Sequence, residues 1–166
     1  NIATIKQSKL KYNNKRVPPH TKNFIIHKKS QIFDNKLNKQ EVLIMEYRSV
    51  GKSGLKVSEI AVGSWMTDLG GSEKAKIAED TIRLAYENGI NFFDCADAYS
   101  GGEAERFLGR VLKDYRRSSY VVSSKVFFPT GPDANEWGLS RKHIFENIDR
   151  TLKNMQLDYI DLYYCH

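Results

Sequence analysis

The segment Ile90-Asn-Phe-Phe-Asp-Cys-Ala96 is short, dominated by apolar side chains and preceded by the punctuating pair Asn88-Gly89, so it reads as a buried strand. On its C-terminal side, Ala104, Leu108 and Val111 fall on one face of a short helix, and Tyr120-Val-Val-Ser-Ser-Lys-Val126 is a further apolar strand. Phe127 to Leu139 contains Pro129, Gly131, Pro132 and Gly138 and reads as a loop. Ser140 then caps a third helix whose apolar face is expected to be Phe145, Ile148, Leu152 and Met155, and Tyr159-Ile-Asp-Leu-Tyr-Tyr-Cys165 follows as the last strand. On its N-terminal side, Ser72 caps a helix with Glu73 in the first turn, and Ala75, Ala78, Ile82 and Ala85 share one face. Asn88-Gly89 ends that helix, because glycine tolerates the left-handed cap. Ile60-Ala-Val-Gly-Ser-Trp65 is a strand, and Tyr47-Arg-Ser-Val-Gly-Lys-Ser-Gly-Leu-Lys-Val-Ser58 reads as two short strands about a glycine-containing turn.

The order is therefore a hairpin followed by βαβαβαβ, which predicts an α/β fold with a parallel sheet and right-handed crossovers. A repeat of about 30 residues suits either an open doubly wound sheet or the first half of a (β/α)8 TIM barrel. No G-x-G-x-x-G follows the first strand, which weighs against a dinucleotide-binding doubly wound domain.

The chain has 166 residues, of which 40% are hydrophobic and 28% charged, a composition that predicts a globular domain. Its net charge of +6 is unevenly spread: residues 1–44 hold ten of the 26 Lys+Arg and two of the 20 Asp+Glu, leaving the remainder slightly acidic. That first stretch has no glycine, is rich in Lys, Asn and Gln, and shows no sustained apolar period, so a solvated, disordered extension is expected there. Met45 directly precedes the first patterned segment, and we expect it to be the natural start, with residues 1–44 an upstream extension. The two domains of the reading are thus a basic extension over 1–44 and a folded unit over 45–166. A basic tail could touch nucleic acid or an anionic surface, but the solvated reading is preferred and no nucleic-acid partner is expected. No run approaches the roughly 18 apolar residues of a membrane span. No secretory signal is visible, and two cysteines without metal-ligand spacing fit a reduced, cytoplasmic compartment and no metal site.

Polar residues collect near the C-terminal ends of the expected strands: Asp94, with Tyr99 in the loop beyond it, then Lys125, then His166. Neighbouring parallel strands lie ~4.8 Å apart, so these four groups could surround one cavity, at the end of the sheet where α/β enzymes keep their active sites. The set suits carbonyl reduction. No side chain donates hydride, so a cofactor is implied. A free tyrosine is a weak acid at neutral pH, and a neighbouring lysine ammonium stabilises its phenolate. A carboxylate would hold that ammonium, and a histidine could orient the carbonyl. Each residue also has a plain reading: Tyr99 as a packing aromatic, Lys125 as a snorkelling surface charge, His166 as a frayed terminus. Asp94 is harder to dismiss, because an unpaired carboxylate in an apolar strand is costly. Trp65, at the end of the first strand of the alternating series, could line a pocket or simply pack. Cys95 and Cys165 read as small buried packing residues.

Tyr47 to Ser58, Phe92-Phe-Asp-Cys-Ala-Asp-Ala-Tyr99, Val121-Val-Ser-Ser-Lys125, Gly138-Leu-Ser-Arg-Lys-His-Ile144 and Gln156-Leu-Asp-Tyr-Ile-Asp-Leu-Tyr-Tyr-Cys-His166 together resemble, in order, motifs of the aldo-keto reductases. The wording is most similar to the branch of voltage-gated potassium channel beta subunits and their bacterial relatives, and it runs from about Met45 to His166. The resemblance implies a TIM barrel, NADP(H) as cofactor, and reduction of aldehydes or ketones to alcohols. It implies Tyr99 as general acid, Lys125 and Asp94 as its tuning pair, His166 as the carbonyl-orienting group, and Ser64, Trp65 and Asp94 on the nicotinamide side of the cofactor site. Its partners would be a small carbonyl substrate and a channel or a second copy of the chain. Ser64 stands where Thr is commoner, Cys95 where Thr, Ser or Asn is frequent, and Ser100 where Gly or Ala is usual. Because a complete barrel takes about 250 residues, the stretch from 45 to 166 corresponds to its N-terminal half, and the half that contributes most cofactor phosphate contacts lies outside it. On its own such a half is expected to be a poor, marginally stable enzyme with open sheet edges. Two other readings stand beside the reductase fragment: an NADPH-sensing, channel-regulating module, and a non-functional truncated product.

Overall fold

The computed structural model describes residues 45–65 and 72–166; the expected basic extension over 1–44 and the side chain of Ser72 lie outside what is described. Strands β1 (Tyr47–Ser49) and β2 (Lys56–Ser58) pair antiparallel as the expected hairpin. The alternating part follows: β3 (Val62–Gly63), α1 (Ser72–Glu87), β4 (Phe92–Asp94), α2 (Glu103–Leu112), β5 (Val121–Val126), α3 (Arg141–Met155) and β6 (Leu162–Cys165). A 3-10 turn over Tyr99–Gly102 leads into α2, and another over Arg117–Ser119 precedes β5.

The four later strands are parallel and lie in the order β3-β4-β5-β6. Sequential order without a reversal is that of a barrel's first half and not of a doubly wound sheet. A doubly wound sheet needs a strand-order switch, whereas successive right-handed crossovers place α1, α2 and α3 on one face, as in the first half of a (β/α)8 barrel. The regular strands are shorter than the apolar runs that encode them. Their pairing nevertheless continues as single bonds at the C-terminal ends: Ser64 N–H to Asp94 O, Cys95 N–H to Ser123 O, and His166 N–H to Val126 O. These bonds hold the segment carrying each site residue in register with its neighbour. The hairpin closes the opposite end, where Ser58 N–H donates to Asn91 Oδ1 at 2.7 Å and Tyr47 OH donates to Gly89 O at 2.7 Å.

The core lies between the sheet and the helices. Phe93 and Val122 from the strands, and Cys95 just beyond β4, meet Ile82 of α1 and Ala104, Phe107, Leu108, Val111 and Leu112 of α2. The apolar faces expected for α1 and α2 are those that turn inward, and Gly89 ends α1 with φ +89°.

The third helix differs. Of its expected face only Met155 is fully buried; Phe145 is 56% exposed, and the residues turned inward are His143, Asn147, Thr151 and Asn154. The physical reason lies in α2, where Glu105 is fully buried and its carboxylate must be satisfied. It accepts from Ser124 Oγ, Thr151 Oγ1 and Asn154 Nδ2 at 2.7, 2.9 and 2.8 Å. A polar stripe on α3 is therefore the complementary surface, and the apolar residues sit on its flank.

Gly109 sets how closely α2 and α3 approach. A Cβ there would come within 2.2 Å of Met155 O and 2.5 Å of Met155 Cα, both backbone atoms that cannot swing aside. Gly109→Ala is therefore expected to destabilise the fold by at least about 1–3 kcal/mol, the usual cost of overpacking. Urea unfolding checks this, and a midpoint equal to the parent's would show that the helices can part freely.

Candidate active site

Side-chain alternation along β5 divides its residues between two environments. Val122 and Ser124 meet the helix layer, whereas Ser123 and Lys125 share the other face, on which Asp94 of β4 also lies. The register places Asp94 opposite Ser123. Lys125 Nζ then donates to Asp94 Oδ2 at 2.7 Å and to Cys95 O at 2.7 Å, and lies 3.4 Å from Tyr99 OH. Ser123 Oγ donates to the other carboxylate oxygen, Asp94 Oδ1, at 2.6 Å. The lysine and the carboxylate are thus each fixed at two points, and the ammonium faces the phenol with its third N–H.

Lys125 is not the snorkelling surface charge of the plain reading. Its side chain is 16% exposed. Burial alone pulls the ammonium pKa down, but the hydrogen bond and charge of Asp94, assisted by Tyr99, outweigh that pull and leave it raised. The site therefore holds a positive charge beside Tyr99 throughout the neutral range.

The remaining expected residues converge on the same mouth. The His166 ring meets the Tyr99 ring edge-on at 5.9 Å, and Phe128 meets His166 edge-on at 4.8 Å. Trp65 also lies against Tyr99, ring centroids 6.2 Å apart, and is 71% exposed. Ser64 is buried, and its hydroxyl donates to Asp94 O at 2.9 Å, so it braces the strand end that presents the carboxylate. Cys95 is buried as expected, and burial pushes its thiol up to about 12. Cys165 departs from expectation: it is exposed, because β6 is the last strand of the described sheet and nothing described lies beyond it.

Reading the sequence missed the groups that brace this set. Ser123 was recoverable, since it stands two residues before Lys125 on a strand and must share its face. Asp97 is 1% exposed and accepts from Ala98 N–H at 2.6 Å and from Asn147 Nδ2 at 2.7 Å. Burial pushes its carboxyl up against those two hydrogen bonds. Asn147 also bonds Tyr163 OH at 3.0 Å, and burial pushes that phenol up to about 12. Among the described residues no cluster could hold a metal ion, and no helix is long and apolar enough to cross a membrane.

Residues 59–166 match the model of the aldo/keto reductase family. The chain belongs to that family. It is 43% identical over 124 residues to a probable voltage-gated potassium channel subunit beta of Arabidopsis thaliana, and 42% identical to one of Oryza sativa subsp. japonica. Each match covers 74% of this chain and 37% of the relative, so the chain spans little more than a third of these proteins. Among solved structures, an aldo-keto reductase from Bacillus halodurans in its holo form superposes with a TM-score of 0.59 at 36% identity, covering 72% of this chain and 39% of that one. Within this aldo/keto reductase chain, the family match takes in β3 to β6 and every residue of the constellation around Lys125.

Proposed function

We propose that the chain forms the N-terminal, acid-bearing portion, residues 45–166, of an NADP(H)-dependent reductase that converts aldehydes or ketones to alcohols. The observation that carries this reading is the Lys125 ammonium held between Asp94 and the Tyr99 hydroxyl. Family membership and the holo reductase relative support it.

The described residues fit one side of a nicotinamide site. Trp65 offers an exposed flat ring next to Tyr99, while Asp94, braced by Ser64, presents a carboxylate at the same mouth. These three residues would hold the reactive end of NADPH, and bound NADPH would supply hydride to the carbonyl carbon.

The chain's own residues do the proton work. The Tyr99 hydroxyl donates a hydrogen bond to the carbonyl oxygen and passes its proton to the alkoxide as it forms. Lys125 stabilises the phenolate left behind, and its attachment to Asp94 keeps the ammonium from moving toward solvent. His166, edge-on to Tyr99, orients the carbonyl oxygen toward the phenol. The test is a coupled measurement in the intact protein, in which NADPH consumed with an aldehyde probe should equal alcohol formed. Consumption without alcohol, or no consumption with cofactor bound, overturns the reading.

A second reading is favoured by the two channel-subunit relatives. In it the same site binds NADPH and reports its redox state to a channel, with slow turnover. Co-purification with a channel's cytoplasmic domain, lost when NADPH is oxidised, distinguishes it.

A further inference from the structure

Asp97 touches none of the four residues assigned to chemistry through its side chain, yet it is almost fully buried. A carboxylate in that position costs folding free energy unless its oxygens are satisfied. Both are: Oδ1 accepts from Ala98 N–H and Oδ2 from Asn147 Nδ2 of α3. Its own N–H points to Lys125 O at 3.4 Å, at the strand end that presents the lysine.

Immediately beyond Asp97 the chain enters the turn that carries Tyr99. Ser100, Gly101 and Gly102 have φ of 50°, 62° and 89°, three successive left-handed residues. A serine pays sterically for that conformation, and such a turn persists only where its surroundings fix it. On the far side Arg106 Nη2 donates to Gly101 O at 3.3 Å, and a Cβ on Gly102 would press within 2.9 Å of Asn154 Nδ2. On the near side Asp97 holds the entry through Ala98 N–H, beside the backbone bonds Tyr99 N–H to Ala96 O and Gly101 N–H to Ala98 O.

We propose that Asp97 is a positioning residue for Tyr99: its carboxylate, clamped to Asn147 and to Ala98 N–H, fixes the entry to the left-handed turn and so holds the phenol against the Lys125 ammonium. The inference rests on the carbonyl-reduction reading, in which Tyr99 is the acid. The 3.4 Å separation between Lys125 Nζ and Tyr99 OH is near the limit of a hydrogen bond, so a small shift of the turn breaks it. A misplacement of about 1 Å at a reacting group costs up to about 100-fold in rate.

Asp97→Ala, Asp97→Asn and Asn147→Ala test this in the intact protein. The readouts are kcat and KM for p-nitrobenzaldehyde, the pH profile of kcat, and the NMR signal of ring-labelled Tyr99 assigned with Tyr99→Phe. Asp97→Ala is expected to lower kcat by about 10- to 100-fold with KM within about threefold, to move the pH profile and to shift the Tyr99 signal. Asp97→Asn should restore all three. Its Oδ1 still accepts from Ala98, and the Asn147 amide can turn its unpartnered Oδ1 toward the new N–H. Asn147→Ala should lie between. A folded Asp97→Ala protein with unchanged kcat and Tyr99 signal overturns the proposal, as does a folded Asp97→Asn protein as impaired as Asp97→Ala. Should Asp97→Ala not fold, an unmoved Tyr99 signal in Asn147→Ala overturns it equally. An inactive parent protein would sink the carbonyl-reduction reading alone, and the Tyr99 signal would still decide the positioning role.

Discussion

Tyr99→Phe is expected to lower the rate of carbonyl reduction by about 10²- to 10⁴-fold, the usual contribution of a positioned general acid. The substitution removes only the hydroxyl. The ring keeps its contacts with Trp65 and His166, so packing at the mouth persists. Lys125 keeps its bonds to Asp94 and Cys95 O and remains satisfied, so no buried charge is stranded. The loss should therefore fall on kcat, with cofactor affinity and unfolding midpoint close to the parent's. Lys125→Met is expected to be at least as damaging. It removes the charge that stabilises the phenolate and leaves the Asp94 carboxylate with Ser123 as its remaining side-chain donor. Steady-state kinetics with one aldehyde across the two variants and the parent checks both. A Tyr99→Phe protein within tenfold of the parent would show that the proton comes from elsewhere.

Glu105→Ala is expected to be the most destabilising single change in the helix layer, by about 3 kcal/mol or more. Three buried or half-buried groups, Ser124 Oγ, Thr151 Oγ1 and Asn154 Nδ2, lose their acceptor at once. Each donor left without a partner away from water costs about 1–3 kcal/mol. Glu105→Gln keeps an oxygen for Ser124 and Thr151 but turns an N–H toward Asn154 Nδ2. The Asn154 side chain cannot reverse without giving up Arg106, which donates to its Oδ1 at 2.8 Å. Gln should therefore cost less than half as much as Ala. Urea unfolding read by circular dichroism measures both, and a loss under about 1 kcal/mol for Ala would mean that water replaces the carboxylate.

These residues also mark where the sequence was legible and where it was not. Strand-helix alternation, the Asn88-Gly89 stop and the inward faces of α1 and α2 follow from apolar periodicity, because there the core is apolar on both sides. Choosing between barrel and doubly wound sheet depends on strand order, and periodicity along one chain carries no information on that. The inner face of α3 differs from the apolar one for a related reason: Glu105, within the charged run Glu103-Ala-Glu105-Arg106, looks like a solvated helix surface, yet it is buried. Its polar partners on α3 recur at helical spacing, so a search for apolar residues passes over them. Asp94, Tyr99, Lys125 and His166 could be suspected from their places at strand ends. What holds them, Asp97 on Asn147 and Ser123 on Asp94, arises from contacts between residues 29 and 50 positions apart.

Hydride transfer to a carbonyl with Tyr99 as the acid is tested by following the isotope. The intact protein would be supplied with NADPH carrying deuterium at both hydrogens of the reactive nicotinamide carbon and with an aromatic aldehyde, and the alcohol analysed by mass spectrometry. One deuterium at the carbinol carbon, formed by the parent and reduced to background with Tyr99→Phe, is the predicted result. Alcohol without deuterium, or as much labelled alcohol from the variant as from the parent, would rule out hydride transfer assisted by Tyr99.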